Sequence, residues 1–148
     1  MTLPRTLLVP VDFSDNSEAA LDYAFELAAK LDAKLYILHV VGLAGLAVPE
    51  LGASLAPTVI DSIIHDSEEA LAKLADARRS KAQIAGTLLR TGDARDLIIH
   101  AAEETGADLI VMGTHGRRGF GRALLGSVAE TVVRTSPCPV LTIRGRKH

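Results

Sequence analysis

Short apolar runs rich in β-branched residues alternate along this chain with longer stretches whose apolar residues recur at helical spacing. That alternation restricts the fold more than any other feature. "TLLVPVD", ending at Asp12, "KLYILHVV", "QIAGTLLR", "ADLIVMG" and "PVLTIR" read as strands buried on both faces, although Gly86 interrupts the third. Between the first two, Leu21, Ala24, Phe25, Ala28 and Leu31 share one helical face, with Ser14 or Asp15 as cap. A second helix is expected from Thr58 to about Ser80, with Ile60, Ile63, Ile64, Leu71, Leu74 and Ala75 inward. "GDARDLIIHAAEETG" has Asp93 as cap, Leu97, Ile98, Ala101 and Ala102 inward, and Gly106 as stop. "SVAETVVRTS" is a last helix, ended by Ser136-Pro137.

Strand–helix alternation argues for an α/β fold: one doubly wound, five-stranded parallel sheet with helices on both faces. Right-handed crossovers restrict the strand order, and 3-2-1-4-5 places strand 1 beside strand 4. Connections leave those two strands toward opposite faces, so a crevice opens at their carboxyl ends. Asp12 ends one and Gly113 ends the other.

The 148 residues suit a single domain spanning 1–148, with a core of Leu, Ile, Val and Ala because there is no Trp and few aromatics. A net charge of −2 argues against nucleic acid or anionic lipid as a bulk partner. The one cysteine, Cys138, excludes an internal disulfide and a multi-cysteine metal site, and is expected to be buried and inert. The opening "MTLPRTLLVPVDFS" shows no basic leader or cleavage site, and no apolar run approaches ~18 residues. The expectation is a soluble, cytoplasmic protein without membrane insertion. "GLAGLAVPELGASLAP" (42–57) is read as a long apolar loop, a lid or a partner contact.

"GTHGRRGFGRALLGS", Gly113 to Ser127, crowds five glycines, three arginines and a histidine between a strand and a helix. Glycine lets backbone amides approach an anion, and a helix starting near Gly126-Ser127 adds unpaired N–H groups and a dipole. The dipole contributes only ~0.3–1 kcal/mol at an exposed terminus, whereas micromolar affinity needs about 8 kcal/mol. The remainder must come from burying an apolar body, which favours a nucleotide over free phosphate. "GRALLGS" has the Walker A glycine spacing but lacks its Lys, and "GFG" is followed by Leu124 where a dinucleotide fingerprint needs glycine.

The spacing Gly113-x-x-Gly116, nine residues, then Gly126-Ser127 resembles the ATP-binding signature of the universal stress protein family, G-2x-G-9x-G-(S/T). "LLVPVDFSDNSEAAL", "ILHVV", "ADLIVMGTHG" and "LLGSVAETVVRTSPCPVLTIR" are similar to that family's opening strand and helix, second strand, fourth strand with its loop, and closing helix and strand. The resemblance implies a Rossmann-like fold of the adenine nucleotide alpha hydrolase type, with ATP across the crevice. On that pattern Asp12 accepts from the adenine edge with Pro10 and Val11 beside the base, and Val40 also meets adenine. Met112 and Gly113 face the ribose and first phosphates. Gly116, Gly126, Ser127 and Val128 cradle phosphates through their amides, the Ser127 hydroxyl adds a donor, and Arg117 lies beside them. Mg2+ or Mn2+ would bridge phosphate oxygens without a dedicated protein cluster. The resemblance also implies a homodimer through the last strand, Pro139–Arg144.

Plainer readings stand beside these. The glycines suit a surface loop, Asp12 suits a helix cap, and Arg117, Arg118 and Arg122 suit a solvated cluster. His39 and His65 read as structural or surface residues, and His115 lacks a carboxylate partner that would make it a general base. With no base identified, the expectation is an ATP-binding regulatory protein, a nucleotide-dependent switch for a partner protein, with slow or no hydrolysis. The alternatives are a weak ATPase or phosphotransferase using His115 or an arginine, and an interaction protein that has lost nucleotide.

Overall fold

A computed structural model describes residues 2–42, 47–48, 53–54, 57–115 and 125–145, with backbone alone for the two short pairs. Its elements run β1 (Thr6–Pro10), α1 (Asp15–Leu31), β2 (Lys34–Val41), β3 (Ala47–Val48), β4 (Ala53–Ser54), α2 (Pro57–Asp76), β5 (Gln83–Thr91), α3 (Ala94–Thr105), β6 (Leu109–Gly113), α4 (Ser127–Thr135) and β7 (Val140–Ile143). The main sheet is parallel with order β5-β2-β1-β6-β7, which is the expected 3-2-1-4-5 once β3 and β4 are set aside.

Strand period and helix stripe explain the layers. Leu7, Val9 and Val11 point to one face, where Ala20, Leu21, Ala24, Phe25 and Ala28 of α1 and Leu71 and Ala75 of α2 cover them. Leu8, Ile110 and Met112 point to the other, against Ile98, Ala101 and Ala102 of α3 and Ala129 and Val132 of α4. The central strands β1 and β6 are buried on both sides, as continuous apolar runs require.

Several boundaries differ from the sequence expectation. β1 ends at Pro10 rather than Asp12, because the chain turns sharply after Val11 and Phe13 takes a left-handed φ of 64°. α2 stops at Asp76 rather than near Ser80, giving way to tight turns in which Arg78 N–H donates to Ala75 O and Lys81 N–H to Arg78 O. Its Ile60, Ile63 and Ile64 are half-buried, whereas Leu71 and Ala75 are buried. β5 continues through Gly86: the register with β2 shifts so that Ala85 is the extra residue of a bulge, and Gly86 lies opposite Tyr36. A Cβ there would stand 3.3 Å from the Tyr36 ring. The 42–58 segment is not wholly loop, since Ala47 pairs with Ser54 and Val48 with Ala53 antiparallel, and α2 already starts at Pro57.

The caps agree with expectation. Ser14 accepts from Ser17 N–H at the start of α1, Asp93 accepts from Arg95 N–H at the start of α3, and Gly106 ends α3 at φ 66°. Cys138 is half-buried rather than buried. No helix among the described residues is long and apolar enough to cross a membrane.

Candidate functional site

β1 and β6 pair directly, Leu7 with Leu109 and Leu8 with Ile110, and their exits diverge, β1 into α1 and β6 toward α4 on the opposite face. A cleft of about 520 Å3 opens at this switch point, within the size range of small-molecule sites. Pro10, Val11 and Asp12 line it from the β1 exit, and Leu38 and Val40 from β2. Met112, Gly113, Thr114 and His115 line it from the β6 exit, and Gly126, Ser127, Val128 and Ala129 from the start of α4. Ser17, Ala94 and Ile98 complete it from α1 and α3. Gly116 and Arg117, and with them Arg118 and Arg122, lie outside the described residues.

The β1 exit is held by hydrogen bonds that fix Asp12. Val11 N–H donates to Leu38 O at 2.8 Å. Val11 O lies 2.7 Å from His39 Nδ1, and a carbonyl only accepts, so Nδ1 carries the proton. Phe13, in its left-handed conformation, packs its ring 4.4 Å from that of His39. Asp12 Oδ1 accepts from Ser14 N–H at 3.0 Å and from the Ser14 hydroxyl, while Asp12 N–H donates to Ser17 Oγ at 3.2 Å. Ser14, not Asp12, is therefore the cap of α1, and Asp12 orients the capping serine.

The β6 exit is tied to α4. Thr114 N–H donates to Ile143 O at 3.1 Å, and Thr114 O accepts from Gly126 N–H at 2.7 Å. The Gly126 amide, expected among the phosphate donors, is thus engaged within the protein. Glu130 N–H returns to Gly126 O at 2.9 Å, which leaves the amides of Ser127, Val128 and Ala129 without intrahelical acceptors. Gly126 supplies no side-chain cap for them.

Gly113 lines the cleft, yet its missing side chain answers to a different neighbour. A Cβ would stand 3.1 Å from the backbone C and O of Asn16, so α1 presses on the end of β6. Thr114, buried at 8% exposure, has its hydroxyl 3.0 Å from His115 Nδ1, and His115 Nε2 is buried with no hydrogen-bond partner among the described residues. Ser17, Leu38, Ala94, Ile98, Thr114 and Ala129 are cleft residues that the sequence does not assign, and His115 enters from sequence only through the ATPase or phosphotransferase alternative. Ala94 and Ile98 stand four apart on α3, and Thr114-His115 directly follow a buried strand, which are the local signals available. His65 sits exposed, 3.2 Å from Glu69, away from the cleft. Among the described residues no group of three or more His, Cys, Asp or Glu could hold a metal ion.

A doubly wound parallel sheet with an apolar-walled cleft at its switch point defines a Rossmann-like α/β protein. The universal stress protein family matches residues 4–144, and the chain belongs to this family. Universal stress protein YxiE of Bacillus subtilis is 36% identical over 144 residues, covering 93% of this chain and 97% of the relative. The solved structure of universal stress protein UspA from Lactobacillus plantarum superposes with a TM-score of 0.75 at 30% identity, covering 97% of this chain and 100% of that one. A universal stress protein solved in complex with cAMP superposes with a TM-score of 0.64 at 28% identity, covering 98% and 100%.

Proposed function

We propose that the cleft binds an adenine nucleotide, ATP in the first place, and that the protein is a homodimeric regulator whose occupancy is read by a partner protein. The observation that carries this reading is the start of α4: the amides of Ser127, Val128 and Ala129, which have no acceptor within the helix, border a cleft whose other walls are mainly apolar. Amides of that kind suit phosphate, and apolar walls suit a purine. The two complement each other energetically, since a helix terminus contributes about 1 kcal/mol at most when exposed and the base must supply much of the rest. The cAMP complex of a relative supports adenine as the base.

In this reading Pro10, Val11 and Val40 flank the purine and Asp12 accepts from its amino edge. Met112 and Gly113 face the ribose and the first phosphates. Ser127 and Val128 hold phosphate, with Gly116 and Arg117 contributing from the glycine segment. Mg2+ or Mn2+ would be held by phosphate oxygens and water rather than by a protein cluster. Dimerisation runs through Pro139–Arg144, where β7 is the sheet edge. The chain acts as one domain in the cytoplasm, and nucleotide orders the 42–58 segment for the partner.

Calorimetric titration tests the reading: ATP binds, and Gly116→Val abolishes binding while the circular dichroism spectrum is kept. Binding of ATP by the folded valine variant at unchanged affinity would count against the assignment. Single-turnover hydrolysis well below about 1 per second is expected, because ordinary enzymes work at or above that rate.

A further inference from the structure

We infer that His115 is the side-chain donor that recognises the phosphate of the bound nucleotide, with Thr114 as the residue that sets its tautomer. This rests on the nucleotide reading above and deepens it.

Thr114 is anchored on both sides, its N–H on Ile143 O and its carbonyl on Gly126 N–H. Its hydroxyl is 3.0 Å from His115 Nδ1, and that is its one hydrogen bond among the described residues. A buried hydroxyl needs an acceptor for its proton, and an imidazole nitrogen accepts only when it is bare. The hydroxyl therefore donates to Nδ1, and the ring proton sits on Nε2. His39 shows the opposite arrangement, with Nδ1 facing the Val11 carbonyl and so carrying the proton. His115 Nε2–H is then a buried donor without an acceptor among the described residues, on a residue lining the cleft. A native structure tolerates such a group where a ligand completes it. His115, Ser127 and Val128 line the same cleft, and Thr114 is bonded to Gly126, the residue just before α4. A side-chain donor and helix-start amides that border one cleft suit an oxygen-rich anion, whereas a neutral nucleoside brings no phosphate oxygens to accept from them.

The test compares ATP with adenosine by calorimetry at about pH 8, where an ordinary imidazole is neutral. His115→Phe keeps a ring and removes the donor. It should weaken ATP by a factor of roughly 10 to 100, the range for one hydrogen bond to a charged group, with adenosine unchanged. His115→Gln, which retains an amide donor, should recover part of the loss, and Thr114→Val should show a smaller one. Nitrogen NMR of the free protein should find the His115 proton on Nε2, a readout that needs no variant to fold. A proton on Nδ1, or equal losses for ATP and adenosine, would overturn the inference. ATP bound equally by wild type and by folded His115→Phe would overturn it alone, whereas a wild type that binds no adenine nucleotide would remove the nucleotide reading as well.

Discussion

Asn16 lies against Gly113: a methyl group on Gly113 would sit 3.1 Å from the Asn16 backbone. The start of α1 is thereby seated on the last residue of β6, across the sheet from α4. The glycine at the cleft rim is a packing requirement before it is a ligand contact.

Gly113→Ala should therefore destabilise the fold. Backbone atoms yield less than side-chain ends, and overpacking of this type costs about 1–3 kcal/mol. For a chain of this size each 1 kcal/mol lowers Tm by roughly 2–4 °C. Thermal unfolding monitored by circular dichroism measures it, and an unchanged Tm would mean that α1 moves aside freely.

Asp12→Ala removes the acceptor that holds Ser14 N–H and its hydroxyl, and removes the carboxylate proposed to read the base. ATP affinity should fall while pyrophosphate affinity holds. Equal losses for the two ligands, by competition calorimetry, would contradict base reading.

Asp93 should titrate low. The Arg95 guanidinium bonded to its carboxylate, then the Arg95 backbone amide, hold its pKa below the ordinary value of 3.8. Because the folded value is the depressed one, the stability from this pair is fully present above 3.8 and is lost as pH falls through the folded value. Carbon NMR of the Asp93 carboxyl should give a midpoint below 3.8. Asp93→Asn should flatten stability against pH across that window.

Thr142→Pro should separate folding from assembly. Pro139 O accepts from Ile110 N–H of β6 and Ile143 O from Thr114 N–H just after it, so the alternate residues Val140 and Thr142 turn their main-chain groups to the open edge. Proline at such an edge position spares the β6 ladder and blocks pairing with a second copy. Light scattering should show a dimer for wild type and a monomer for the variant. A dimeric variant would place the contact elsewhere.

Much of this architecture was readable from residues alone, for physical reasons. Continuous apolar runs such as "ADLIVMG" have few places to go except a parallel sheet, and Ser14, Asp93 and Gly106 carry side chains or backbone freedom suited to helix ends. The cleft walls followed from topology, since strand order alone brings Asp12 near Gly113. What escaped depends on contacts between distant segments. No local pattern reveals that Gly113 is bare for Asn16, or that Gly126 spends its amide on Thr114. The bulge at Ala85 likewise reflects how β5 fits β2 rather than any preference of its own sequence. His115 has no carboxylate partner legible in the sequence, and only the fold shows the Thr114 hydroxyl, one residue earlier, beside its Nδ1.

Asn16 also meets Gly145, where a Cβ would collide with its side-chain oxygen. One asparagine thus interlocks with glycines on two separate segments, at the end of β6 and after β7. Across relatives these three positions should vary in concert, and an enlargement at either glycine should be accompanied by a smaller residue or a shifted helix at the first. A designer wishing to reshape the cleft mouth would have to rebuild this trio as a single unit.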